Sequence, residues 1–134
     1  MSTHAAIAIK TDKGYKAIYC HWDGYPSYMY PMLDTWYNSQ ERAEALVSFG
    51  DASSIHKRLV PSQDSNHSFD KPEEDVCVFY HRDRDEPWAQ VEPIFYLTKR
   101  EVLKLQYYVY IFEDGCWTAY QGGVEFADYS EFDD

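Results

Sequence analysis

The sequence has few cysteines and no long hydrophobic run. The chain has three cysteines among 134 residues and no CxxC pair. A disulfide scaffold needs more cysteines and an even number of them, so a reducing compartment is favoured. No apolar run approaches the roughly 18 residues that a membrane-spanning helix needs, and the first residues lack the pattern of a signal peptide. We therefore expect a cytoplasmic protein without membrane contact, in which all three cysteines are small buried residues.

Basic residues are also scarce. The chain carries 12 Lys and Arg against 23 Asp and Glu, a formal net charge of -11. Affinity for a nucleic-acid backbone comes from cations that release its counterions, and an anionic membrane surface likewise needs cations. Direct nucleic-acid binding and membrane-surface binding are therefore not expected.

Enzyme signatures are absent as well. The sequence contains no glycine-rich phosphate loop, no G-x-S-x-G elbow and no HExxH motif. We therefore predict no catalytic residue, no cofactor and no metal.

The chain does have enough apolar residues to build one hydrophobic core, since 45% of its residues are hydrophobic and 18% are aromatic. The patterns predict a single α+β domain over residues 1–122. Its antiparallel sheet has five or six strands, with two helices within residues 27–49 and a short helix near 98–105, packed mainly on one face. Residues 11–14 and the Asp114-Gly115 pair are typical of hairpin turns.

Local signals place the helix ends and one long loop. Asn38 and Glu41 fit a capping box for the second helix, and Thr98 with Glu101 fits another for the short one. Residues 51–74 are polar and predict a loop. The apolar run over residues 76–80 and the segment 91–97 predict strands.

An acidic tail over residues 123–134 follows the predicted domain. No Lys or Arg comes after Lys104, whereas seven acidic residues do. Such a tail is either a solvated terminus or an acidic and aromatic strip that binds a basic partner surface. The second interpretation predicts these partner-binding residues: Glu113, Asp114, Glu125, Phe126, Asp128, Tyr129, Glu131 and Phe132.

Two His-x-Asp segments follow strands that should be buried. If the strand ends were neighbours, the imidazoles, carboxylates and arginines could hold a phosphate or transfer protons. Alternatively, the histidines satisfy backbone groups and the Arg-Asp alternation forms ion pairs. The ligand-binding alternative uses His21, Asp23, His81, Arg82, Asp83 and Arg84.

Thirteen tyrosines suit either a half-exposed sheet face or a protein interface, because tyrosine is stiff and amphipathic. Self-association through a tyrosine-rich sheet is therefore a third possibility, although the sequence does not fix the oligomeric state.

Several strings together carry a resemblance: Tyr19-Cys-His-Trp-Asp-Gly-Tyr-Pro26, Gly50-Asp-Ala-Ser-Ser54, His67-Ser-Phe, Tyr80-His-Arg-Asp-Arg84, Tyr107-Tyr-Val-Tyr-Ile-Phe and a strand with Trp117. With them the chain resembles a family of small proteins encoded by phages, prophages and other mobile elements. Members often have Gly where this chain has Asp85. The resemblance implies an accessory protein of phage type in the bacterial cytoplasm and assigns no catalytic role to any residue.

The function that we expect from the sequence is binding and inhibition, or modulation, of a bacterial host protein with a basic surface. Dense carboxylates can imitate a phosphate array, so nucleic-acid-binding or defence machinery is the expected class of partner. The alternative is a protein that binds or hydrolyses a nucleotide-like ligand at the His-x-Asp segments.

Overall fold

The computed structural model describes residues 3–126, and these residues contain eight strands and five helices. In chain order they are β1 (Ala5–Lys10), β2 (Tyr15–Cys20), α1 (Pro26–Trp36), α2 (Gln40–Ser48), β3 (Ala52–Ser54), β4 (Val78–Phe79), α3 (Tyr80–Arg84), α4 (Trp88–Val91), β5 (Ile94–Tyr96), α5 (Lys99–Leu103), β6 (Tyr108–Glu113), β7 (Cys116–Gln121) and β8 (Val124–Glu125).

The strands make one mixed sheet in the order β4-β3-β2-β1-β6-β7-β8, and β5 pairs with the first half of β2. The two predicted hairpins, β1–β2 and β6–β7, are joined through a parallel pairing of β1 with β6. β2 and β3 are also parallel, which the crossover through α1 and α2 allows. The α+β class is confirmed, whereas the sheet is mixed and larger than the predicted five or six antiparallel strands. The additional strands have two or three residues each, too few for periodicity to identify them.

Apolar layers cover both faces of the sheet. On the front face, which we define as the one covered by α1 and α2, Ile7, Ile18 and Cys20 join a core with Met29 and Leu46. The back face, covered by α5, has its own cluster, which includes Ala8, Ala17 and Val102. Because strand residues alternate between faces, this arrangement follows the alternation predicted for β2. The prediction that the helices pack mainly on one face holds for α1 and α2 but not for α5.

The two predicted helix starts have different outcomes. At α5, the Thr98 hydroxyl accepts a hydrogen bond from the Glu101 N–H at 3.2 Å, and the Glu101 carboxylate accepts one from the Thr98 N–H at 3.1 Å. The capping box is therefore confirmed. At α2 the cap is Ser39 rather than Asn38, since the Ser39 hydroxyl accepts from the Arg42 N–H at 3.1 Å. Both residue types cap well, so the sequence alone did not separate them.

The short strands differ most from their prediction. β3 lies within the predicted loop 51–74, and the predicted strand over 76–80 is reduced to β4 because Tyr80 already begins α3. Within the predicted strand 91–97, only β5 is extended. β8 lies in the segment predicted as a tail and pairs with β7. None of the helices within residues 3–126 has the length and apolarity that crossing a membrane requires.

The three cysteines lie in different environments. Cys20 and Cys77 are buried, as expected, and burial raises the pKa of the Cys20 thiol to about 12. Cys116 is exposed at the start of β7, so the expectation of burial is wrong for this residue. It directly follows the turn, where one of the two strand faces points to solvent.

Replacing Asp85 with glycine should stabilise the protein. Asp85 ends α3 with φ of 58°, in the left-handed region where a side chain is strained and glycine is not. Asp85→Gly is expected to raise the free energy of unfolding by about 1 kcal/mol, measured by urea denaturation. Asp85→Ala, which removes the same carboxylate but keeps the strain, serves as the control. A glycine variant no more stable than the alanine variant would contradict the expectation.

Candidate functional site

Both central hairpin turns lie at the same end of the sheet. This follows from the parallel pairing of β1 with β6, since each strand runs into its turn in the same direction. Asp114 and Gly115 have φ of 55° and 81°, the paired positive values of the hairpin turn that the Asp-Gly sequence favours. The first turns of α2 lie beside this end. Charged side chains from three distant parts of the chain therefore meet there.

An acidic groove of about 450 Å³ lies between the two turns and α2. Asp12, Glu44 and Asp114 are exposed there, and none of them forms an ion pair within residues 3–126. Glu113 is ion-paired with Lys99 of α5. The groove is lined by Lys10, Thr11, Asp12, Gln40, Glu44, Glu113 and Asp114. Its charge is therefore predominantly negative.

A second groove, of about 520 Å³, continues from the first along the front face and shares Thr11 and Glu44 with it. Ile9 and Val47 give it an apolar floor, and Trp88, 40% exposed, forms a wall. The groove is lined by Ile9, Thr11, Lys16, Glu44, Val47, Ser48, Trp88, Glu92 and Pro93. We call the two grooves together the hairpin-end surface. It combines unpaired carboxylates with one large exposed aromatic ring.

Gly50 brings the Trp88 wall close to α2. It follows α2 with φ of 84°, and a Cβ built on it would lie 2.4 Å from the carbonyl oxygen of Val91. Only glycine allows α4 to approach this closely, because any side chain would meet backbone there. The Asp51 N–H, next in the chain, donates to the same carbonyl at 2.8 Å. The glycine thus sets the width of the second groove.

The predicted partner-binding residues do not form one cluster. Glu113 and Asp114 line the acidic groove, whereas Glu125 lies at the other end of β7, paired with Tyr120. Phe126 packs against the front-face core. The remaining four lie outside the described residues: Asp128, Tyr129, Glu131 and Phe132.

The sequence interpretation missed Asp12, Glu44 and Trp88. These residues are far apart in the chain, so no local run of charge marks them. The β1–β6 pairing places the turn of each hairpin beside the other and would have located Asp12 next to Asp114, whereas the positions of Glu44 and Trp88 depend on how α2 and α4 pack.

The two His-x-Asp segments run in opposite directions from the same row of the sheet. Cys20, Ala52 and Phe79 are adjacent across β2, β3 and β4. Because β4 is antiparallel to β2 and β3, the chain after Phe79 leaves the row on the side opposite to His21. Accordingly, His81 contacts Trp88, at 5.2 Å between ring centroids, and donates to the Glu86 carbonyl at 2.8 Å.

Asp23 does not join His21. Its φ of 59° turns the chain away from the strand direction. Burial is the main cause that raises the pKa of Tyr28, and the charge of Asp23 is the next largest. Burial lowers the pKa of His56, and the charge of Asp23 partly offsets that decrease. His21 and Asp23 would point to the same side only if the strand continued, and β2 ends at Cys20.

Arg82 and Asp83 are engaged with each other and with the backbone. The guanidinium donates to Asp83 Oδ1 at 2.9 Å and to the Cys77 carbonyl at 2.9 Å, and it lies 5.1 Å from the ring centroids of both Phe49 and Phe79. Asp83 Oδ2 accepts from the Phe79 N–H at 2.8 Å. These contacts fold the start of α3 against the sheet.

His67 completes this network from the polar segment 51–74, where a histidine is usually solvated. Its side chain is only 1% exposed. Nδ1 accepts from the Glu73 N–H at 2.8 Å, so the neutral ring carries its proton on Nε2, which lies 3.3 Å from Asp83 Oδ2. His67 thus ties the long loop to α3. We call His67, Arg82 and Asp83 the loop-anchoring network.

A cluster of two histidines and a tyrosine lies on the back face, where the Tyr19 hydroxyl is 2.9 Å from His4 Nδ1 and 2.8 Å from His21 Nδ1. His4 Nδ1 donates to the His21 carbonyl, so Tyr19 donates to His21. Burial, then the charges of His4 and Arg84, lower the pKa of His21. Arg84 also lies over the Tyr80 ring, 4.6 Å from its centroid, and pairs with Glu86. Of the six alternative residues, His21 and Arg84 therefore interact through their charges.

Within residues 3–126, no group of three or more His, Cys, Asp or Glu side chains is placed to hold a metal ion. Comparison of the chain with protein-family models, with curated proteins and with solved structures finds no match. The function must therefore be argued from the chain's own surfaces.

Proposed function

We propose that this protein binds a basic surface of a partner protein through the hairpin-end surface. The observation that carries the proposal is that the two grooves share Thr11 and Glu44, so one continuous surface holds the carboxylates of Asp12, Glu44 and Asp114 in its first groove and exposed Trp88 in its second. Carboxylates on the rim steer a cationic partner and set its orientation, and a tryptophan supplies stiff contact area. The only lysines in these two linings are Lys10 and Lys16.

The partner class follows from the charge. A surface of exposed carboxylates competes for protein sites that normally bind phosphates, so the proposed partner is a bacterial protein with a nucleic-acid-facing surface. The protein would inhibit or modulate that partner in the bacterial cytoplasm, as an accessory protein of phage type. The resemblance of the Tyr19 to Pro26 string supports this setting, and the acidic, aromatic composition of residues 127–134 adds to the same charge.

A nucleotide-like ligand is a second candidate, supported by the His4, Tyr19 and His21 cluster on the back face and by the electrostatic interaction of Arg84 with His21. It has less support, because Arg82 and Asp83 already bond to each other and to the backbone. A rise in melting temperature with a nucleotide, lost in His21→Ala, would favour this candidate over the first.

Neutralising the groove carboxylates should weaken binding of a cationic probe. With octaarginine, removal of three exposed charge pairs is expected to lower affinity about fivefold, since each is worth roughly 0.2–1 kcal/mol. Isothermal titration at low salt measures the effect. The groove variant carries Asp12→Asn, Glu44→Gln and Asp114→Asn.

A matched variant separates the groove from net charge. It makes the same change in charge at exposed acids of the long loop, namely Asp64→Asn, Asp70→Asn and Glu74→Gln. Its affinity should stay within twofold of the wild type. Equal losses in the two variants would mean that octaarginine responds to net charge alone and would contradict the proposed surface.

A further inference from the structure

A small cavity opens on the back face where the pairing of β2 changes partner. β5 pairs with Tyr15 to Ala17, and β3 pairs with Cys20, so Tyr19 lies in a gap between the two neighbours. Asp51, which directly precedes β3, fills the gap. Its Oδ1 accepts from the Tyr19 N–H at 2.9 Å, in place of a strand carbonyl. The side chain of Asp51 therefore stays fixed beside the cavity.

The carboxylate of Asp51 has no cation beside it among residues 3–126. None of the ion pairs within this range includes it, and the Tyr19 N–H is its hydrogen-bond donor there. Burial raises the pKa of Asp51. Burial also raises the pKa of Tyr19, Tyr80 and Tyr96, and the charge of Asp51 adds to each of these shifts. The second carboxylate oxygen remains available to a ligand.

The cavity has a volume of about 120 Å³ and is lined by Asp51 together with Tyr19, Tyr96, Ile94, Leu105 and Gln106, among others. Water takes about 30 Å³ per molecule in the liquid, so this volume accepts roughly four or five heavy atoms. Aliphatic side chains offer an apolar wall to a short alkyl chain, and tyrosine rings attract a cation. Size and lining thus specify a short chain with a charged end.

We propose that this cavity binds a compact alkylammonium group, with the ammonium on Asp51 and the alkyl chain against Ile94 and Leu105. An ammonium needs only one carboxylate oxygen, whereas a guanidinium is bound best by two, and Oδ1 is already occupied. The site lies on the face opposite to α1 and α2 and shares no lining residue with the hairpin-end surface. It is therefore independent of the proposed function.

Titration with n-butylammonium, followed by amide chemical shifts, tests the cavity. We expect saturable shifts at Asp51, Tyr96 and Gln106, and at least tenfold weaker binding of n-butanol, which has the same shape without the charge. Nα-acetyl-lysine N-methylamide distinguishes the two sources of the group. Its binding would indicate the side chain of a peptide, and binding of the amine alone would indicate a free amine. No saturable binding, or equal binding of butanol, would overturn the proposal.

Two variants assign the effect to the carboxylate. Asp51→Asn keeps the acceptor for the Tyr19 N–H, so the fold should persist while n-butylammonium affinity falls at least tenfold. Gln106→Lys tethers a competing ammonium at the cavity and should weaken binding similarly. Asp70→Asn, which removes an exposed carboxylate of the long loop outside the cavity and both grooves, is the matched control and should stay within twofold. Undiminished binding in both cavity variants would contradict the assignment.

Discussion

Asp83→Ala is expected to lower the free energy of unfolding by about 3–5 kcal/mol, the range typical of removing one partner from a buried ion pair. The Asp83 side chain is 3% exposed and serves three partners at once. It accepts from the Phe79 N–H, pairs with Arg82 and lies beside the buried His67 ring. The substitution leaves the Phe79 N–H buried without its acceptor and removes the carboxylate beside Arg82 and His67, which keep only their contacts with backbone carbonyls.

Urea denaturation with circular dichroism measures this loss. Asp70→Ala is the control, since it removes an exposed carboxylate of the long loop that has an ordinary negative φ and no ion pair within residues 3–126. We expect its free energy of unfolding to change by less than about 0.5 kcal/mol. A loss below about 1 kcal/mol in Asp83→Ala would mean that the loop-anchoring network contributes little to stability.

Trp88→Ala is expected to lower octaarginine affinity about thirtyfold, or about 2 kcal/mol, the value typical of an exposed aromatic anchor that a partner buries. Trp88 is 40% exposed and forms the wall of the second groove, beside the carboxylates that attract the probe. An arginine that pairs with Glu44 or Glu92 would reach the indole face, where a cation–π contact adds to the ion pair.

Trp22→Ala provides the comparison for this variant. Trp22 is 44% exposed, similar to Trp88, but does not line either groove. Its replacement should change octaarginine affinity by less than twofold. If the two variants bind octaarginine equally, the aromatic wall plays no part in recognition and only the charge component of the proposal remains.

The parts of the fold that could be predicted are those specified by neighbouring residues. The capping box of Thr98 and Glu101, the Asp114-Gly115 turn and the alternation of Ile18 and Cys20 against Ala17 each depend on a few adjacent side chains. The short strands could not be predicted in this way. β3 and β5 exist because β2 offers each of them part of its edge, which is a property of the assembled sheet.

The candidate site illustrates the same limit. Charge density directed attention to the tail, where acidic residues are close in sequence. The acidic groove instead combines Asp12 and Asp114, which the β1–β6 pairing brings together, with Glu44 of α2, which packs on the same end of the sheet. The His-x-Asp segments were a reasonable local pattern, yet Asp83 serves the fold and His21 bonds Tyr19. Spacing in sequence could not distinguish these roles, because strand direction beyond the sheet decides them.

The most direct measurement of the central claim is a map of amide chemical shifts during titration with octaarginine. We expect the largest amide chemical-shift changes at residues 10–12, in the first turns of α2, at Trp88 and at Asp114. They should diminish as salt screens the carboxylates. Changes concentrated on the acids of the long loop, or spread evenly over the molecule, would contradict the claim that the hairpin-end surface binds a basic partner.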